Sequence, residues 1–158
     1  MNATTLSTTP ARTDIGITIL RVGTGAIFAA HGAQKLFVYG FAGVTGAFQG
    51  MGVPLPGITG PLTGLVEFFA GLALVVGLLT RLAGFGLAIT MFGAISLVHL
   101  SAGFFAPKGF EFPLALLAAV VSLAFTGAGR YSIDALIAGR RSSAHTAASG
   151  THTLGRAA

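Results

Sequence analysis

Arg21, His31, Lys35, Glu67 and His99 are ionisable residues set inside long apolar runs. A charge at the centre of a bilayer costs roughly 2.5–3.5 kcal/mol on insertion scales, so each of them needs a reason to be there. Their types allow several chemistries. Glu67 and His31 could form a proton relay. Together with Lys35 and His99, they could also bind the carbonyl oxygens of a lipid-soluble quinone. Glu67 and Lys35 could instead form a buried ion pair that fixes helix register and does no chemistry. His31 and His99 could ligate a haem, although nothing in their spacing demands it. A transport path is a further alternative, unsupported by any internal repeat or broken helix pair.

The elements that position these residues must be membrane spans. The chain has 158 residues, 53% hydrophobic and 8% charged. Soluble domains carry roughly 25% charged residues, so too little polar surface is available here to face water. The fold class expected is an all-α, four-transmembrane-helix bundle with spans of about 15–37, 61–80, 82–104 and 112–126. Residues 1–14 read as a disordered N-terminal tail and 131–158 as a mostly disordered C-terminal tail, in which His145 and His152 are incidental. The Gly-rich stretch from Val38 to Gly60 reads as the longest loop, with a short interfacial helix over Val44 to Met51 as one alternative. A tight turn is expected at Arg81. Arg12, Arg81 and the arginines after Gly129 fall on one side of this topology, which the positive-inside rule makes cytoplasmic, together with both termini.

Helical periodicity adds direction. At about 100° per residue, Arg21, Thr24, Gly25, Phe28, His31, Gly32 and Lys35 share one stripe of the first span. Gly60, Thr63, Gly64, Glu67, Ala70 and Gly71 share one face of the second. Small residues let helices approach closely in lipid, so this face is expected to be buried, with Glu67 pointing inward. His31, Lys35, Glu67 and His99 then converge on one layer near the outer leaflet. Arg21, near the opposite face, is expected to snorkel towards the cytoplasm or to pair with Asp14 or Asp134.

Other classes are excluded by what the chain lacks. The net charge of +5 is spread over helix flanks and tails, with no basic cluster interleaved with aromatics, so nucleic acid is not an expected partner. With no cysteine, the chain itself offers no thiol catalysis, thiolate metal site or iron–sulfur ligation. No metal-spaced histidine pair, Walker loop, dinucleotide fingerprint or nucleophile elbow occurs. The first apolar run is too long for a signal-peptide core and is interrupted by Arg21, so it reads as a retained helix.

From Leu20 to Asp134 the sequence resembles the DoxX family of small bacterial membrane proteins. The carriers are Arg21, His31-Gly32-Ala33-Gln34-Lys35-Leu36, Met51-Gly52-Val53-Pro54, Glu67 with Gly71, and Gly77-Leu78-Leu79-Thr80-Arg81. The ending Gly127-Ala128-Gly129-Arg130-Tyr131-Ser132-Ile133-Asp134 is similar to the family's Gly-Pro-Gly-Arg-Tyr-Ser close, with Ala128 in place of proline. The resemblance implies a multi-pass protein of the bacterial cytoplasmic (inner) membrane that acts as a subunit of a quinone-linked oxidoreductase. It implies quinone as a non-covalent ligand, and a partner protein supplying the electron-transfer centre, because this chain has none. Self-association is left open. Carried over by position, the site residues are Arg21, His31, Lys35, Glu67 and Arg81, with Arg21 and Arg81 in structural or topological roles. His99 joins from topology alone. A non-catalytic anchor or assembly factor for a redox or stress-response complex is the alternative.

Overall fold

The computed structural model describes residues 9–140. All regular structure among them is helical. Helix α1 (Thr9–Ala33) runs into a π-helical turn (Gln34–Tyr39) and then α2 (Gly40–Gly50). Helix α3 is Pro56–Val76, and α4 is Thr80–Ala94, continued by a second π-helical turn (Ile95–His99) and a short 3-10 turn (Leu100–Ala102). Helix α5 is Glu111–Thr126, and α6 covers 133–140. Three stretches, Ala11–Gly50, Pro56–Val76 and Thr80–Ala102, are long and apolar enough to cross a membrane. Helix α5 is apolar but has 16 residues, about 24 Å of rise against a hydrocarbon core of about 30 Å.

Helices α1 and α3 are nearly in backbone contact. A Cβ on Gly25 would lie 2.7 Å from the Gly71 carbonyl oxygen, one on Gly71 2.5 Å from the Ala29 nitrogen, and one on Gly32 would overlap the Phe68 backbone. Lipid supplies no hydrophobic drive between helices, so dispersion at such close approaches holds them together. Helices α4 and α5 repeat the device at Gly84, whose missing Cβ faces the Val120 carbonyl at 2.8 Å. Phe28, Leu74, Leu87, Leu116, Val120 and Leu123 close the core between the four long helices. The outer surface carries Ile19, Phe69, Phe85, Ile89, Phe92 and Phe125 in exposed positions, as a lipid-facing surface requires.

Several boundaries differ from the sequence reading. Helix α1 starts at Thr9, inside the expected tail; residues 1–8 lie outside the described residues. The stretch from Val38 to Gly60 is mostly helical, in line with the alternative of a short helix over Val44 to Met51 but starting earlier, at Gly40, and only 51–55 remain between α2 and α3. Its glycines were read as loop formers, but glycine is common in membrane helices. Gly40, at φ +63°, begins α2, which packs on α3 with Val44 against Gly60. Pro56, rather than Pro61, occupies the first turn of α3. The α3–α4 turn is centred on Gly77–Leu79, and Arg81 is already in α4. Within the expected C-terminal tail, 133–140 is helical, while 141–158, with His145 and His152, lies outside the described residues.

Candidate functional site

The bundle has two polar layers. The first lies at the α3–α4 turn. Arg21 is 2% exposed and donates from Nη1 to the carbonyls of Leu74 (2.6 Å) and Val75 (2.9 Å), and from Nη2 to that of Tyr131 (2.9 Å). It therefore does not snorkel, and of the expected aspartate partners Asp134 is near enough to act on its charge without a direct ion pair. Its guanidinium caps the end of α3, where the last carbonyls of a helix have no partner within the helix. Gly77 makes room for it: a Cβ there would run into Nη1 of Arg21. Across the turn, Asp134 accepts from the amides of Leu79 (2.8 Å) and Thr80 (3.0 Å), an N-cap supplied from a distant part of the chain. Asp14 accepts from the Arg130 amide at 3.0 Å. Both aspartates are thus held by backbone amides. Arg81 is exposed beside Gly127. The capping role of Asp134 had no signal in helical periodicity; its only trace was the Gly-Arg-Tyr-Ser close of the resemblance.

The second layer lies near the opposite, open end of the bundle. Glu67 is 3% exposed, and its Oε2 accepts from Lys35 Nζ at 2.5 Å. The inward face of α3 read from its glycines places Glu67 here, with Gly64 packed on Lys35 and Leu36. Lys35 sits in the π-helical turn after α1; such widened turns occur frequently at functional sites. His31 is one turn earlier, exposed, and near enough to Glu67 to interact with its charge. The His31 ring lies 6.5 Å from that of Phe112 at the start of α5, a neighbour the sequence did not indicate. The structure therefore gathers Glu67, Lys35 and His31 from α1 and α3. His99 occupies the other π-helical turn and bonds through Nδ1 to the Lys108 carbonyl at 2.8 Å, which ties α4 to the loop before α5. Because a carbonyl only accepts, Nδ1 carries the proton and Nε2 is left as the acceptor in the neutral ring.

Apolar helices with lipid-facing side chains around two internal polar layers define a helical membrane protein. Comparison with known sequences gives its family: the chain belongs to the DoxX family, whose model matches residues 16–100. A second model, described as TQO small subunit DoxD, matches 60–151. The chain is 34% identical over 125 residues to CatD of Bacillus subtilis, a protein whose oxidoreductase name is provisional, covering 78% of this chain and 88% of that one. It is 35% identical over 126 residues to the uncharacterised membrane protein Rv3486 of Mycobacterium tuberculosis, covering 73% and 77%. Inner membrane protein YqjF of Escherichia coli is 34% identical over 125 residues, covering 78% and 93%. No solved structure matches the chain.

Proposed function

We propose that this chain is the membrane subunit of a quinone-linked oxidoreductase complex, crossing the bacterial cytoplasmic membrane four times with both termini in the cytoplasm. The layer of Glu67, Lys35 and His31 is its quinone- and proton-handling site, near the outer leaflet. The observation that carries this reading is Glu67, a carboxylate buried among apolar helices whose neighbours are titratable side chains, one of them exposed. A protonated Lys35 or His31 can donate to a quinone carbonyl, and Glu67 can accept or return a proton. Reducing a quinone takes two electrons and two protons. The electrons come from a redox centre on a partner chain, and the protons pass through Glu67 and His31. The names of its relatives support both parts: one carries a provisional oxidoreductase name, and the DoxD family is described as a small subunit.

The second reading is a non-catalytic anchor or assembly factor. It is favoured by the closed Lys35–Glu67 pair, which can fix helix register without chemistry. Purification from native membranes in mild detergent, with identification of co-purifying proteins and isoprenoid quinones, separates the two. Stoichiometric quinone and a redox partner are expected. A clean bundle that neither retains nor rebinds quinone would overturn the quinone reading and favour the anchor.

A further inference from the structure

Helices α3 and α4 are joined by a tight turn at one end. Between them, with Phe48 of α2 and Val53 of the following loop also in its wall, is a cleft of about 340 Å³, near the lower bound of small-molecule sites. Along α4 it extends from Gly86 to Val98, about 18 Å of helix rise. Its walls are apolar, with Leu62, Ile89 and Leu97 on the exposed rim, so it opens sideways into lipid. On its α4 side Gly86 and Gly93 contribute no side chain, and a Cβ at Gly93 would have nothing within 4 Å.

The cleft reaches the depth of the second polar layer. Counting outward from the turn, Glu67 is ten residues before Gly77, and Ile89 is ten residues after Leu79. The cleft thus spans the level of Glu67 and continues to the open end. Thr63 lines it one helical turn from Glu67, on the same face of α3. Thr59 donates its hydroxyl to the carbonyls of Pro54 and Leu55 just before α3, and Thr90 to that of Gly86 in its own helix, whereas the hydroxyl of Thr63 has no hydrogen-bond partner among the described residues.

We infer that the α3–α4 cleft is the lateral portal of the site and holds the apolar chain of a membrane-soluble ligand whose polar head passes Thr63 to reach Glu67. The inference rests on the quinone reading and names the part of the ligand that the cleft takes. A tail in the cleft lies at membrane depth, where a tailed quinone already resides, so the ligand need not enter water.

The test uses the full chain in nanodiscs and a benzoquinone with a decyl tail ending in a photoreactive diazirine. The same quinone head without a tail and a phosphatidylcholine with a diazirine-bearing acyl chain serve as controls. Labelling is expected on Thr63, Val66, Thr90 and Gly93, with competition by unlabelled decyl-quinone. Gly93→Leu fills open space, and its expected effect is about tenfold weaker binding of the tailed quinone, roughly the loss of two buried methylenes. Binding of the head alone is expected to be unchanged, as is all binding in Gly23→Leu, where an added Cβ also meets nothing within 4 Å. Quinone binding that labels other helices and ignores Gly93→Leu would overturn the portal while leaving the quinone reading intact. Equal labelling by the phospholipid, not displaced by decyl-quinone, would make the cleft an ordinary lipid-coated surface. Absence of any quinone binding in the wild type would remove the portal together with the quinone reading.

Discussion

Both ends of this bundle bury an ionisable group among apolar helices, but they satisfy it differently. At the turn end, Arg21 is bound by three backbone carbonyls, and Asp134 and Asp14 by backbone amides. At the open end, Glu67 is bound by a lysine side chain, with an exposed histidine within range of its charge. Backbone partners cannot change protonation state or swing away, so the turn end is suited to holding helices in place. Side-chain partners can do both, so the open end is suited to exchanging protons and admitting a ligand. Burial of a charge inside a membrane therefore does not by itself mark a reactive site; the nature of its partners decides.

The contrast can be tested from its structural side first. Arg21→Met removes three buried hydrogen bonds, leaving the Leu74 carbonyl with only the Gly77 amide at 3.2 Å, and is expected to cost about 3–5 kcal/mol, the scale of several bonds to a charged donor. Thermal unfolding in detergent, followed by circular dichroism, measures it. A variant as stable as wild type would show that the turn end is not the scaffold. At the open end, Lys35→Met alone leaves Glu67 buried without its cation, with an expected loss of about 3 kcal/mol or more, while Lys35→Met with Glu67→Leu is expected to recover most of it. If the double variant stayed as unstable as the single one, the pair would be a structural element like Arg21.

Smaller effects refine the picture. Asp134→Ala removes the cap of α4 and is expected to cost about 1–2 kcal/mol, with faster hydrogen exchange at the Leu79 and Thr80 amides. Quinone binding should not change. His99→Phe removes the bond to the Lys108 carbonyl, worth about 1 kcal/mol, and is expected to speed exchange in the loop from 103 to 110 and leave the bundle intact. Unchanged exchange there would mean that the loop is held by its own backbone bonds, such as Phe110 to Gly103 at 3.0 Å.

Much of this was legible in the sequence because lipid imposes simple rules. The long apolar runs gave the helices, and the glycine stripe on α3 placed Glu67 inward, towards Lys35. What could not be read depended on backbone groups. Helical periodicity gives a side chain's direction but not which carbonyls wait there, so Arg21 read as snorkelling or as pairing with an aspartate. The α2 segment was obscured by glycines that break helices in water and are tolerated in membranes. The π-helical turns at Lys35 and His99 have no compositional signature, and the cleft is formed by residues of α2, α3 and α4 together rather than by any motif.

The most direct test of the open end as the reactive end is Glu67→Gln, which keeps shape and hydrogen bonding but removes the exchangeable charge. Quinone-linked turnover would be measured in native membranes at matched protein abundance, beside thermal stability and partner assembly. The account predicts normal assembly with turnover reduced by roughly 10²-fold or more, the scale of a lost general acid–base group. Normal assembly with full turnover would contradict it, and would place Glu67 with Arg21 among the residues that only hold the bundle together.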